Sequence, residues 1–323
     1  MKPAMRITLN QLRVFEAVSR LSGFSRAARE LHLAQPTVSM QVKQLAGSVG
    51  MPLFEQVGKK TYLTQAGSMV QAGAREVFDA LARLEMQLAE LKGIKRGRLK
   101  VSVVTTAKYF IPRLLGPFMA RYPGIDIALD VGNRTEIVAR VARNEDDLYI
   151  MGMPPAAMGI QRHPFVENPI VAIAPRGHAL AGKRRVSLAR LSQEPFLLRE
   201  QGSGTRMAAE RFLKERGIKL NVRMELGSNE AIKQAVAGGL GLSLLSLHAI
   251  TAELARGDLA LLDVEGLPIR RSWYIVHHAG KQLSVVAQAF FDYLKDEGLE
   301  LERELRQAQA TLKPRRKSTP ARK

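Results

Sequence analysis

The sequence predicts an α/β protein that begins with an all-helical domain and continues, after one long helix, as alternating strands and helices. Over the first ninety residues the apolar positions recur every three or four residues, as one buried helix face requires. From Leu99 onward, short β-branched runs alternate with helical patterns, which is typical of wound α/β sheets. With 323 residues, the chain is long enough for two or three domains.

The charge is strongly positive and unevenly placed. The formal net charge is +19, and residues 1–98 carry 15 Lys+Arg against 7 Asp+Glu. Residues 313–323 carry six basic residues and no acidic one, and we expect them to form a disordered basic tail. Such a balance favours a polyanionic partner, either nucleic acid or an anionic membrane surface.

Cysteine content and hydropathy further restrict the classes of protein to which this chain can belong. The chain has no cysteine, which excludes disulfides and thiolate metal sites. We find neither a signal-peptide pattern nor an apolar run of membrane-spanning length, so we expect a cytoplasmic protein with no membrane partner.

Residues 9–45 predict a helix-turn-helix. We expect an opening helix over 9–21, a second over 26–32 capped by Ser25, and a third that starts at Pro36, since proline suits the first helical position. The third helix turns three apolar residues inward: Val38, Val42 and Leu45. Its outward face carries Thr37, Met40 and Lys43, and short polar side chains with one lysine suit the reading of base edges in a major groove.

Residues 52–64 predict a β-hairpin wing around Gly58-Lys59-Lys60. Lys59 and Lys60 at its tip would lie against phosphates or reach into a minor groove. The alternative is that both are ordinary solvated turn lysines.

A long helix is expected over residues 64–92, with Thr64 as its N-cap. Apolar residues recur along it at heptad spacing: Val70, Ala74, Val77, Leu81, Leu84, Leu88 and Leu91. This seam favours a coiled coil with a second chain, which would present two recognition helices to a dyad DNA site. The alternative is an amphipathic helix packed on its own domain.

Five motifs together resemble the LysR-type transcriptional regulators: L-x-x-F-x-x-V (12–18), S-x-A-A-x-x-L (25–31), Q-P-T-V-S-x-Q-V-K-x-L (35–45), P-L-F-E (52–55) and L-T-x-A-G (63–67). The segments QLRVFEAV, HLAQPTVSMQVKQL, MPLFEQ, VGKK and GLGLSLLSLH also resemble the RuBisCO-operon regulators of the CbbR type, which control Calvin-cycle genes. Gln56 stands where many members carry an arginine, so no wing contact is assigned to it.

The resemblance implies a particular domain organisation. Residues 1–64 would be a winged helix-turn-helix and 65–93 a linker helix for dimerisation. Residues 98–312 would bind an effector between two Rossmann-like α/β subdomains of the periplasmic-binding-protein type. Subdomain I would comprise 98–169 and 273–312, and subdomain II would comprise 170–272. The implied partners are double-stranded promoter DNA, a small-molecule effector and RNA polymerase, with a homodimer that pairs into a homotetramer.

The resemblance and the outward helix face together give the DNA-binding candidates. They are Ser25, Arg26, Gln35, Pro36, Thr37, Ser39, Met40, Lys43, Lys59 and Lys60. Ser25 and Arg26 would approach the DNA backbone.

Three turns at strand ends are candidate effector sites, because ligands in open α/β sheets lie beyond the carboxyl ends of strands. Hydroxyls, glycines and free N–H groups at helix starts would hold an anion. The candidates are Thr105, Thr106, Ala107, Lys108, Asn133, Arg134, Thr135, Gly202, Ser203, Gly204, Thr205 and Arg206. In the subgroup, the resemblance implies a phosphorylated or nucleotide effector such as ribulose bisphosphate, phosphoenolpyruvate, ATP or NADPH, and no resident cofactor.

An enzyme is not expected. The six histidines show no metal-ligand spacing, and Ser203 has neither a paired base nor the context of a nucleophile elbow, so no catalytic or metal residue is assigned. The sequence favours an effector-responsive transcriptional activator of carbon-fixation genes. Alternatives are a LysR-type regulator of another operon, a ligand-independent DNA-binding protein, and a solute-binding or metabolic domain fused to a DNA anchor.

Lys59→Ala and Lys60→Ala should each lower DNA affinity and the salt dependence of binding without changing sequence preference, because phosphate contacts carry no base information. Binding-site competition at several salt concentrations measures both quantities, with Lys219→Ala as the control. A changed sequence preference would contradict the phosphate assignment.

Overall fold

We describe a computed structural model of the chain, covering residues 6–57, 60–91 and 96–312. The chain divides into two compact units, Met1–Leu88 and Ala89–Lys323. The predicted tail at 313–323 lies outside the described residues. No described helix is both long and apolar enough to cross a membrane.

The first unit is built from helices and one hairpin. In chain order they are α1 (Leu9–Leu21), α2 (Phe24–Glu30), α3 (Gln35–Val49), β1 (Phe54–Val57), β2 (Lys60–Leu63) and α4 (Gln65–Leu91). The two strands pair antiparallel, from Phe54 opposite Leu63 to Val57 opposite Lys60, which confirms the hairpin.

Helix caps explain most of these bounds and correct three expectations. Thr8 caps α1 through a capping box with Gln11, and the left-handed residue Ser22 ends that helix. Ser25 is not a cap, because α2 begins at Phe24 after Gly23 and ends at Glu30. Pro36 is the second residue of α3, after Gln35. The expected cap at Thr64 is confirmed, since Thr64 Oγ1 accepts from the Gly67 amide at 3.0 Å at the start of α4. Gly50, with φ +78°, ends α3.

Helix α4 has two different halves. Ala74 is buried in the core of the first unit, where Val70 and Phe78 pack against the same cluster. Farther along, apolar side chains at a four-three-four spacing are 38–51% exposed: Val77, Leu81, Leu84 and Leu88. The first half of α4 therefore packs on its own domain, as the alternative interpretation predicted. The second half carries an exposed apolar stripe.

The second unit contains the following elements. They are β3 (Arg96–Val104), α5 (Ile111–Arg121), β4 (Gly124–Gly132), α6 (Arg134–Ala142), β5 (Leu148–Met151), β6 (Ile160–Glu167), β7 (Ile170–Pro175), α7 (Leu188–Leu191), β8 (Pro195–Arg199), α8 (Gly204–Lys214), β9 (Asn221–Leu226), α9 (Asn229–Ala237), β10 (Leu242–Ser246), α10 (Thr251–Arg256), β11 (Leu259–Leu262), β12 (Ser272–His278) and α11 (Val285–Leu312). Short 3-10 turns, Ala107–Tyr109 and Leu247–Ala249, precede α5 and α10.

These elements form two five-stranded mixed sheets. The first has the order β4-β3-β5-β12-β6, and we call it with its helices the first subdomain. The second has the order β11-β7-β10-β8-β9 and defines the second subdomain. Strands β4, β3 and β5 run parallel in the first sheet, and strands β10, β8 and β9 run parallel in the second. The loops after β3 and β8 therefore leave their sheets at the carboxyl ends of parallel strands.

Sequence reasoning missed two strands and one short helix. Strand β6 reads IQRHPFVE, in which proline and charged residues obscure the apolar alternation, and β11 has only four residues. The short helix α7 also has four residues, too few to show a period. Residues 107–121 form a 3-10 turn followed by α5, with a break at Phe110.

The start of α4 lies unusually close to the preceding segment. A Cβ added to Gly67 would stand 2.0 Å from the Leu53 carbonyl oxygen, whereas one added to Gly73 on the same helix would meet nothing within 4 Å. Gly67→Ala should therefore destabilise the first unit by about 1–3 kcal/mol through overpacking. Gly73→Ala, the matched control, should stabilise it by roughly 0.5–1 kcal/mol. Urea unfolding measures both, and equal effects would contradict the close approach.

Candidate functional sites: a DNA-binding face and an interdomain cleft

The recognition helix α3 presents the expected residues outward. Its inner face is anchored by three buried residues: Val38, Val42 and Leu45. Four of the candidates are exposed and two are partly exposed: Gln35, Pro36, Met40, Lys43, Thr37 and Ser39. Gln35 Nε2 donates to Ser39 Oγ at 3.1 Å, so these two side chains are oriented together. The face can offer amide, hydroxyl and ammonium groups to base edges.

The neighbouring candidates lie on α2 and the hairpin. Ser25 and Arg26 are exposed, and Arg26 donates to the Ser22 carbonyl at 2.8 Å. The hairpin is held by Phe54, whose ring centroid lies 5.1 Å from that of Phe15 and 5.7 Å from that of Phe24. Lys59 lies outside the described residues, and only the backbone of Lys60 is described.

In the second unit, a narrow cleft lies between the two subdomains. Its walls come from the ends of strands β3 and β5, from the starts of helices α6 and α8, and from Arg271 just before β12. The lining residues are Val104, Thr105, Thr106, Arg134, Gly152, Met153, Ser203, Gly204, Thr205 and Arg271. The structure thus brings together members of all three predicted turns.

Two arginines give the cleft its charge. Arg134 Nε donates to the Met153 carbonyl at 2.8 Å, and Arg271 Nη1 donates to the Gly204 carbonyl at 2.9 Å. The Asn168 amide oxygen, in the orientation that satisfies both groups, accepts from Arg271 Nη2 at 3.0 Å. Burial lowers the pKa of Arg134, and it lowers the pKa of Arg271 to about 10. Within the described part of the chain neither guanidinium pairs with a carboxylate, so both remain charged and uncompensated near neutral pH.

Other polar groups fasten the two subdomains together beside the cleft. Arg199, only 2% exposed, binds both carboxylate oxygens of Glu200 and donates to Thr105 Oγ1 at 3.2 Å and to Asn229 Oδ1. Asn229 Nδ2 in turn reaches Thr106 Oγ1 at 3.5 Å. Unlike Arg134 and Arg271, Arg199 is neutralised by a carboxylate, that of the adjacent Glu200.

A second contact between the subdomains centres on Tyr109. Its hydroxyl donates to Glu230 Oε1 at 2.5 Å, and burial raises the tyrosine pKa, so the donor keeps its proton. Lys233 Nζ lies 2.9 Å from Glu230 and 3.0 Å from Glu253, and it also stands over the Tyr109 ring. These contacts join the two subdomains, and we call the joined arrangement closed.

Several predicted effector residues have structural partners, among them Ser203, which also lines the cavity. Asn133 and Ser203 cap helices α6 and α8, accepting from the amides of Glu136 and Arg206 respectively. The Arg206 guanidinium is held by Glu210 at 2.7 Å and by Glu225. The predicted residues absent from the cavity lining are Ala107, Lys108, Asn133, Thr135, Gly202 and Arg206. Thr135 nevertheless lies across from Gly202, where an added Cβ would come within 2.5 Å of its hydroxyl.

Sequence reasoning missed Arg271, the more strongly desolvated of the two cleft cations. It immediately precedes β12, where the chain returns to the first subdomain. The sequence signal for Arg271 was the charged pair Arg270-Arg271, which lies where the chain passes from the second subdomain back to the first. Among the described residues no group of His, Asp or Glu side chains is arranged to hold a metal ion.

Family models account for most of the chain. The model described as "Bacterial regulatory helix-turn-helix protein, lysR family" matches residues 9–68, and "LysR substrate binding domain" matches residues 92–299. The chain belongs to the LysR family of transcriptional regulators. Residues 9–68 are thus a LysR-family helix-turn-helix domain, and the two-sheet unit is the LysR substrate binding domain.

Within the LysR family, the chain is similar to several individual regulators. The HTH-type transcriptional activator CmpR of Synechocystis sp. is 52% identical over 89% of this chain and 94% of that protein. A RuBisCO operon transcriptional regulator of Acidithiobacillus ferrooxidans is 50% identical over 89% of this chain and 93% of its own length. The solved regulatory domain of Synechocystis CcmR in complex with 2-PG is 51% identical, with a TM-score of 0.60, over 62% of this chain and 96% of that one.

Tyr109→Phe should loosen the closed arrangement by about 1.5 kcal/mol, because it removes a hydrogen bond to a charged acceptor. Amide hydrogen exchange near residues 105–110 and 228–230 should then be roughly tenfold faster if opening limits exchange. Tyr274→Phe is the control, since no hydrogen bond involves its hydroxyl among the described contacts. Unchanged exchange in Tyr109→Phe would show that this bond does not hold the subdomains.

Proposed function

We propose that this LysR-family regulator controls RuBisCO-operon genes or other carbon-fixation genes and responds to a small phosphorylated or nucleotide metabolite. The cleft between its subdomains is the effector site. The observation that carries the effector class is the pair Arg134 and Arg271, two partly buried cations that face one cavity and that no carboxylate among residues 6–57, 60–91 and 96–312 neutralises. The gene assignment rests on the similarity to CmpR and to RuBisCO-operon regulators.

The chemistry of the cleft favours an oxyanion. A guanidinium presents a planar fork of N–H donors that matches carboxylate and phosphate oxygens. Thr105, after β3, adds a hydroxyl to the cleft. Ser203 and Thr205 add hydroxyls and backbone N–H groups at the start of α8. An anion placed there would neutralise charge that the protein leaves uncompensated. The complex of the CcmR regulatory domain with 2-PG supports a ligand of this class.

The DNA-binding candidates are proposed to act as two groups. Gln35, Thr37, Ser39, Met40 and Lys43 read base edges from the exposed face of α3. Pro36 fixes the start of that helix against the DNA. Backbone contacts come from Ser25, Arg26, Lys59 and Lys60.

Dimerisation is proposed through the second half of the linker helix. The exposed stripe of Val77, Leu81, Leu84 and Leu88 follows the alternating four- and three-residue spacing of a coiled-coil seam. A twofold dimer would match a dyad operator, and two dimers would give the homotetramer. Contact with RNA polymerase would follow from binding upstream of a promoter.

Regulation requires that the effector bind one subdomain arrangement more tightly than another. The hydrogen bonds from Tyr109 and Arg199 hold the closed arrangement, so an anion that bridges the cleft would stabilise the same state. We infer that this shift alters how paired DNA-binding domains engage the operator. The protein would act by binding and not by catalysis.

DNA binding with and without metabolites tests the proposal. The full chain is titrated at fixed salt onto its own upstream intergenic region, with 2-PG, ribulose bisphosphate, phosphoenolpyruvate, ATP or NADPH. A shift in affinity or DNA bend with one of these supports the proposal. Specific binding that ignores all five would favour a regulator of another operon or a ligand-independent DNA-binding protein.

Arg134→Ala should weaken binding of the responding anion roughly 10- to 100-fold, since hydrogen bonds to charged groups contribute about 1.5–3 kcal/mol. Isothermal titration calorimetry measures the change. Arg184→Ala, which removes an exposed arginine away from the cleft, is the control and should bind as wild type does. Equal affinities for Arg134→Ala and wild type would contradict the assignment of the cleft.

A further inference from the structure

The guanidinium of Arg271 is held by neutral groups on three sides. Its Nη1 donates to the Gly204 carbonyl at 2.9 Å. Its Nη2 and Nε donate to the Asn168 amide oxygen at 3.0 and 3.3 Å, in the amide orientation that satisfies both side chains. A Cβ added to Gly152 would stand 3.1 Å from Nη2, so the guanidinium lies directly against the Gly152 backbone. The side chain therefore has one defined orientation beside the cleft.

Asn168 is itself held by both its side chain and its backbone. It is fully buried, and its amide nitrogen donates at 2.7 Å to the hydroxyl of Ser246, which is also buried. The Asn168 backbone N–H donates to the Arg271 carbonyl at 2.7 Å. Because Ser246 accepts from the amide nitrogen, the amide oxygen is the atom turned toward Arg271. A chain of hydrogen bonds thus runs from the end of β10 through Asn168 to the cleft.

The bonds to Arg271 orient its guanidinium and leave both its charge and some of its donors available. A guanidinium carries five N–H groups. In the described structure, three of them bond Asn168 and Gly204, so one N–H on each of Nη1 and Nη2 remains for a ligand. A carboxylate in place of the amide could orient the same nitrogen atoms, but it would neutralise them, as Glu200 neutralises Arg199.

We propose that Asn168 is a positioning residue that makes the cleft selective for an anionic effector, because its neutral amide orients the Arg271 guanidinium without neutralising it. The inference rests on the proposed function, since it requires that the effector bind to Arg271. Asn168 acts through the arginine and needs no contact with the ligand. A guanidinium held in this way offers paired N–H donors and an uncompensated charge to an oxyanion.

Asn168→Asp should weaken 2-PG binding roughly tenfold or more, because a carboxylate of the same size would compete with the ligand for the Arg271 charge. Isothermal titration calorimetry of the full chain measures the change. The control Asn221→Asp adds the same charge at the exposed start of β9, opposite Pro195 at the amino end of β8 and so at the far edge of the sheet from the cleft. It should bind 2-PG as wild type does. Equal affinities for Asn168→Asp and wild type would overturn the proposal.

Asn168→Ala separates positioning of the arginine from support of the fold. Alanine keeps the Arg271 charge but removes its orienting acceptor, so 2-PG affinity should fall in the order wild type, Asn168→Ala, Asn168→Asp. Thermal unfolding should show Asn168→Ala as the less stable of the two variants, because it leaves Arg271 and Ser246 without their partner. A purely structural role would make affinity follow stability. Tighter 2-PG binding by Asn168→Asp than by Asn168→Ala would therefore overturn the proposal.

Modification by phenylglyoxal tests the contact without any effector. The reagent attacks the uncharged form of a guanidine, and burial lowers the pKa of Arg271 to about 10, which favours that form. A carboxylate at position 168 would raise this pKa, so Arg271 should be modified several-fold more slowly in Asn168→Asp than in wild type. Site-resolved mass spectrometry of the full chain follows Arg271, with the exposed Arg184 as the internal control.

The two measurements distinguish failure of this inference from failure of the proposed function. Equal rates of Arg271 modification in wild type and Asn168→Asp would overturn the role of Asn168. A slower rate in Asn168→Asp, together with no binding of 2-PG to wild type, would support positioning by Asn168 and contradict the proposed effector.

Discussion

The effector-binding unit depends on two desolvated guanidinium groups, those of Arg134 and Arg271, which face one cleft and pair with no carboxylate in the described part of the chain. Burying charge is costly unless a partner compensates it, and Arg134 and Arg271 find only neutral acceptors in Met153, Gly204 and Asn168. Arg199, a few ångströms along the same boundary, shows the other solution, since Glu200 neutralises it. The cleft therefore retains positive charge that an anionic ligand can satisfy.

The proposed effector site lies between the two subdomains. Arg134 begins α6 of the first subdomain, Gly204 begins α8 of the second, and Arg271 lies on the segment that joins them. An anion in contact with both guanidinium groups would bind together parts that can move apart. The hydrogen bonds from the Arg199 guanidinium to Thr105 and from the Tyr109 hydroxyl to Glu230 already join the subdomains. Ligand binding and closure would then stabilise the same state.

Much of this could be predicted from local sequence, and the remainder depended on the tertiary fold. Helix α1 and the Gly50 and Thr64 boundaries follow from periodicity and caps, which act over a few residues. Arg271 could not be found this way, because its role arises where distant segments meet. Arg206 shows the opposite error: Glu210, four residues later, already offered it a salt bridge, and Glu225 from β9 completes its neutralisation.

A crystal structure of the full chain with 2-PG tests the central claim most directly. The account predicts that the anionic group of the ligand lies in the cleft, within hydrogen-bonding distance of the guanidinium groups of both Arg134 and Arg271. An anion bound elsewhere, with both arginines unoccupied, would contradict it.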